Sequence, residues 1–96
     1  MSSNFSLGKV VATSGVSLLH HDNFDFAYFV QISLTRHIVC DWGDVCSEDW
    51  EMNNWAAHNG ARILSSYSVP EHPDWKIWII TEADRSCTTI LFPHEY

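Results

Sequence analysis

Twelve Asp and Glu against five Lys and Arg, a formal charge of -7 on 96 residues, describe one small acidic domain, because a chain this short builds a single core. Hydrophobic residues at 46% and charged ones at 18% set it apart from disordered chains. So negative a field repels nucleic acid and attracts basic surfaces, which argues against direct nucleic-acid binding.

From residue 10 to residue 61 the only Lys or Arg is Arg36, whereas Asp22, Asp25, Asp41, Asp44, Glu48, Asp49 and Glu51 all fall there. Cys40, Cys46 and Cys87 cannot all pair within one chain, and the first 20 residues lack the basic start and apolar stretch of a secretory leader. A cytoplasmic protein with reduced thiols is expected. No apolar run approaches the ~18 residues of a membrane helix.

Along the chain, residues 7–13 are short and β-branched and read as a strand, followed by turn and cap chemistry at Thr13-Ser14-Gly15 and a short helix over 16–21. Asp22 or Asn23 caps a second helix over 24–38, where Ala27, Val30, Leu34 and Ile38 share one arc and Phe29 and Ile32 lie off it. Ser47 followed by Glu48 and Asp49 opens a third helix, which the Asn59-Gly60 pair closes in a left-handed cap. Met52 and Trp55 are its predicted inward residues. Period two then takes over: a strand over 62–69, a two-proline loop over 70–74, and a hairpin of strands 75–82 and 87–92 turning at 83–86. The strand 75–82 is apolar on both faces and is predicted to be central. The fold class expected is α+β, a small antiparallel sheet in the order β-α-α-α-β-β-β with helices on one face.

Candidate chemistry is sparse. His37, Cys40 and Cys46, with Cys87 or His58 as a fourth donor, have a spacing that matches no common zinc pattern. Ser17, His20, His21 and Asp22 sit together, but no nucleophile elbow, protease cysteine context or phosphate loop accompanies them. No enzyme and no cofactor is expected. Trp42 and Trp50 differ from the other tryptophans in being interleaved with acids, as anchors at protein interfaces are, although both could equally close the core. Asp41, Asp44, Glu48 and Glu51 are spaced three, four and three apart and form one stripe if the segment is helical. A carboxylate row of this kind coarsely copies the phosphates of DNA and can occupy a Lys/Arg surface meant for them.

The segments LGKVVATSGV, RHxxxDWGDxCxEDxxxN (Arg36 to Asn53) and KIWIITEADRSCTTILFPHEY resemble a family of small "plasmid-related" proteins carried by bacterial plasmids, conjugative elements and phages. The resemblance covers nearly the whole chain; the aromatic stretch 24–29 and the additional Trp50 and Trp55 depart from it. Proteins of this kind are similar to inhibitors of host defence, including an anti-CRISPR protein directed at type I-C systems. The resemblance implies a stoichiometric inhibitor in the bacterial cytoplasm, with the basic DNA-entry surface of a type I CRISPR effector complex as partner; a monomer is expected, although the sequence does not fix the oligomeric state. Asp41, Asp44, Glu48, Asp49 and Glu51, with Asp22 and Asp25, would face that surface, and Trp42 and Trp50 would add contact area. The alternative is an interaction module of a mobile element, anti-restriction or plasmid maintenance, bound through apolar groups such as Phe29 and Ile32.

Overall fold

A computed structural model describes residues 5–96, whose elements follow the expected order: β1 (Lys9–Ala12), α1 (Ser14–Asp22), α2 (Phe24–Ile38), α3 (Ser47–Asn59), β2 (Ile63–Val69), β3 (His72–Thr81), β4 (Cys87–Leu91) and a short 3-10 turn, Pro93–Glu95. The sheet order is β1-β4-β3-β2, so β3 is central as its two apolar faces require. β2, β3 and β4 are antiparallel, and β1 joins β4 in parallel, which makes the sheet mixed. The first strand must cross three helices before the sheet is built, and that long connection permits the parallel pairing.

Ile77 and Ile79 on β3, Tyr67 on β2 and Ile90 on β4 meet Val16 of α1 and Phe26 and Val30 of α2 in one buried cluster. A second cluster joins Phe5, Trp42, Ala56, Ala57 and Ile63 beneath α3. The buried face of α2 is Phe26, Val30, Ser33 and His37, one residue out of phase with the apolar arc read from sequence. His37 wins a place on that face because the sheet offers it partners. His37 is fully buried, with Nδ1 2.6 Å from the Ser65 hydroxyl and Nε2 2.9 Å from the Thr81 hydroxyl. The Thr88 hydroxyl donates to the Leu7 carbonyl at 2.7 Å and accepts from Thr81 at 2.7 Å. With each hydroxyl proton so assigned, Thr81 has only acceptor capacity left, and His37 carries its proton on Nε2 while Nδ1 accepts from Ser65. This chain ties α2, three strands and the N-terminal segment together.

β3 starts earlier than read from sequence. The two-proline loop shrinks to a turn at Pro70-Glu71, and Pro73 lies inside the strand. Proline is tolerated there because β4 pairs with β3 only from Trp78 onward, so residues 72–77 have an open side. The β3–β4 turn is held by Arg85, a non-glycine residue at φ 60. Its guanidinium donates to the Ala56, Ala61 and Glu82 carbonyls at 2.7–3.1 Å, closing the C-terminal end of α3 with a cation where the helix dipole favours one. Arg85→Ala removes those three bonds at once and is expected to cost about 2–3 kcal/mol, read as a shift in the urea midpoint; an unchanged midpoint would show the bonds to be replaceable by water.

Glu95 joins the chain's two ends. It accepts from the Thr13 hydroxyl at 2.6 Å, the Gly15 amide at 3.1 Å and the Phe92 amide at 3.0 Å. The Thr13 hydroxyl does most to hold its carboxyl below the usual range.

Candidate protein-binding surface

α3 begins at Ser47 with Cys46 in the cap position and no side-chain cap bond, so Glu48 and Asp49 supply the favourable charge of the first turn alone. The helix ends as predicted, at Gly60 in the left-handed conformation. Its inward face is Asn53, Ala56 and Ala57, with Trp50 half-buried beside it. The expectation that Met52 and Trp55 point inward is therefore corrected: they are 62% and 55% exposed. Asn53 sets this rotation. Its side-chain amide donates to the Leu64 carbonyl at 2.8 Å and accepts from the Leu64 amide at 3.4 Å, while the two alanines allow close approach to the sheet.

The outward face consequently carries Glu48, Met52, Trp55 and Asn59 in one row at i, i+4, i+7 and i+11, with Glu51 one turn before Trp55. Neighbours on such a row stand about 5–6 Å apart. Among the described residues no ion pair engages Glu48, Asp49 or Glu51. Three of the five basic residues are tied down: Arg36 by Asp41, Arg62 by Glu82 and the Tyr96 hydroxyl, and Arg85 by backbone carbonyls. The acids on the outward face of α3 are thus outside the ion pairs of the described residues, and two large apolar side chains are set among them.

The remaining predicted contact residues are placed differently. Trp42 is 0% exposed, and its indole N–H donates to Asn54 Oδ1 at 2.9 Å; it is a core residue and offers no contact area. Trp50 packs against the same cluster. The four-carboxylate stripe does not form, because residues 41–46 are not helical. Asp41 forms a two-bond ion pair with Arg36 at 2.8 and 3.1 Å, and chiefly that guanidinium holds its carboxyl below the usual range. Asp44 accepts from the Ser68 hydroxyl at 2.6 Å.

What holds the loop is backbone. Trp42 and Asp44 bracket Ser66, the Ser66 amide donating to the Trp42 carbonyl at 3.2 Å and the Asp44 amide to the Ser66 carbonyl at 2.7 Å. Asp22, the last residue of α1, and Asp25, in the first turn of α2, are exposed beside the N-terminus of α2, which at 1.5 Å per residue lies roughly 20 Å from its C-terminus. They do not join the α3 group in one small patch.

Of the apolar groups, Phe29 is half-buried and stacks on Trp75. Ile32, 43% exposed, continues a stripe with Phe24 at 79% and Tyr28 at 65% along the outer side of α2. His37 is not available as a metal ligand, both its ring nitrogens being engaged. Among the described residues no group of three or more His, Cys, Asp or Glu is placed to hold a metal ion, and no helix is long and apolar enough to cross a membrane. His21 and Asp22 sit 3.6 Å apart with both side chains largely in solvent. Comparison of the chain with protein-family models, curated proteins and solved structures finds no match.

Proposed function

We propose that this protein is a stoichiometric inhibitor that binds a basic, DNA-handling surface of a partner protein through the outward face of α3. The observation that carries the reading is the interleaving of Glu48 and Glu51, engaged by no ion pair among the described residues, with the exposed Met52 and Trp55. Carboxylates spaced along a helix attract the Lys and Arg that hold phosphates, and release the same counterions. A partly exposed tryptophan and methionine supply the desolvated anchor that charge alone does not. The resemblance to mobile-element proteins supports a type I CRISPR effector complex as the partner, with target DNA excluded from its entry channel. Asp49, in the first turn of α3, adds a further carboxylate; Asp41 and Asp44 belong to the loop seated on β2.

The reading is tested by capture from host lysate with the immobilised protein. Glu48→Gln combined with Glu51→Gln is expected to abolish capture of a DNA-binding protein. Asp41→Asn, which removes only a carboxylate already paired with Arg36, is expected to retain it. Equal capture by the double variant would overturn the assignment of α3.

The α2 stripe favours a second reading, an interaction module bound through Phe24, Tyr28 and Ile32. Salt separates the two. Binding through α3 weakens steeply between 50 and 500 mM NaCl, whereas binding through an apolar stripe does not.

A further inference from the structure

The two edges of the sheet are treated differently by the chain. On the outer edge of β2, the backbone groups of Leu64 are bonded by the Asn53 amide and those of Ser66 by the loop at Trp42 and Asp44. At the opposite edge, no such bonds from the described residues cover β1. Its bonds to β4 fix which residues face inward: the Lys9 amide donates to the Ser86 carbonyl at 3.1 Å and the Thr13 amide to the Ile90 carbonyl at 3.0 Å. In a parallel ladder this phase turns Lys9, Val11 and Thr13 toward β4 and leaves the N–H and C=O of Val10 and Ala12 pointing away from the sheet. Among the described residues no backbone bond beyond the ladder reaches either one. Beside this open edge is a cavity of about 260 Å³ lined by β1 together with Val16, His20, Val30, Leu34 and Ile90.

We propose that the β1 edge pairs with β1 of a second copy of this chain, antiparallel about a two-fold axis through Val11, to give a continuous eight-stranded sheet. Three features commit the edge to a second copy. A two-fold at Val11 sets Val10 opposite Ala12 of the second copy, and both residues point their backbone groups outward, so four bonds form in register. On the side facing the cavity the pairing puts a large side chain against a small one: Val10, 42% exposed, meets the space that Ala12 leaves at the cavity mouth. Residues 8–13 and the cavity lining contribute no carboxylate in a chain of net charge -7, and the Glu95 carboxylate at the Thr13 end would face Lys9 of the second copy, so like charges are not opposed along this edge.

A four-residue ladder buries less than the ~800 Å² per partner of a standard interface, so the dimer is expected to be weak and concentration-dependent. The copies repel each other overall, so the dimer strengthens as salt screens them, opposite to the response expected of the α3 interface. The dimer therefore does not depend on the function proposed for α3.

Sedimentation equilibrium of the full chain at 50 and 500 mM NaCl, with amide hydrogen exchange across a concentration series, tests the proposal. A dimer favoured by salt is expected, with Val10 and Ala12 amides gaining protection as concentration rises and Val11 protected throughout. Val10→Pro, which removes a donor that the protein's own ladder does not use, and Val10→Lys, which keeps the backbone but adds charge at the pairing, should each weaken the dimer about tenfold or more. A monomer at millimolar concentration would overturn the proposal. So would a dimer in which the Val10 and Ala12 amides exchange freely, since it would form through another face such as the α2 stripe.

Discussion

Replacing Gly43 with alanine is expected to destabilise the protein by about 3–5 kcal/mol, a large part of the total for a domain of this size. Gly43 has φ +74, a conformation that costs an L residue roughly 1–2 kcal/mol by itself. The added Cβ would also collide with the Ser66 carbonyl and lie 2.7 Å from the Tyr67 ring, both parts of the sheet that cannot move aside. Relief requires the loop to leave β2, giving up both Ser66 backbone bonds and unpacking Trp42. Gly60 is the internal control. Its φ is +72, but nothing lies within 4 Å of an added Cβ, so Gly60→Ala should cost only about 1 kcal/mol. Thermal melts of the two variants separate the cost of conformation from that of collision, and equal shifts in Tm would contradict the tight seating of the loop on β2.

Acid is expected to act on the fold through His37. Burial, with the nearby Arg85 charge second, lowers its pKa from 6.5 to about 3. The folded protein thus keeps His37 neutral where the unfolded chain protonates it. Its stabilising effect is complete above pH 6.5 and is lost progressively as pH falls toward 3, at up to about 1.4 kcal/mol per pH unit. Between pH 7 and pH 5, before most carboxylates titrate, that loss amounts to roughly 2 kcal/mol. Asp41 and Glu95, held below their usual values by the Arg36 guanidinium and the Thr13 hydroxyl, add a further loss only at lower pH. His37→Gln should be less stable at neutral pH yet lack the slope between pH 7 and pH 5. The same slope in both proteins, followed by urea unfolding, would remove His37 as its source.

The order of elements, the central β3 and the Gly60 cap were legible because each rests on local pattern: period two, apolar residues on both faces, and a left-handed cap. The rotation of α3 was not. Asn53, Ala56 and Ala57 are a polar and two small residues, and what turns them inward is a pair of bonds to Leu64 on β2, which no local periodicity records. The outward Trp55 follows from that rotation. A small-residue face set against a face of Glu48, Glu51, Met52 and Trp55 was the signal available in the sequence. The DWGD segment misled in the opposite direction. Its acids and its tryptophan look like recognition chemistry, but Asp41 closes on Arg36, Trp42 fills the core and Gly43 permits contact with β2. His37, Trp42, Gly43, Arg85 and Glu95 are likewise engaged in holding the fold.

The proposed role of α3, an acidic and aromatic face set against a DNA-binding surface, can be measured by fluorescence anisotropy of labelled target DNA on a purified type I CRISPR effector complex. The intact protein is expected to displace the DNA at stoichiometric concentration. Glu48→Gln, Glu51→Gln and Trp55→Ala together, with an unchanged melting temperature, should raise the concentration required by about 100-fold or more. DNA that stays bound at saturating protein, or a triple variant that displaces it as well as the original, would contradict the account.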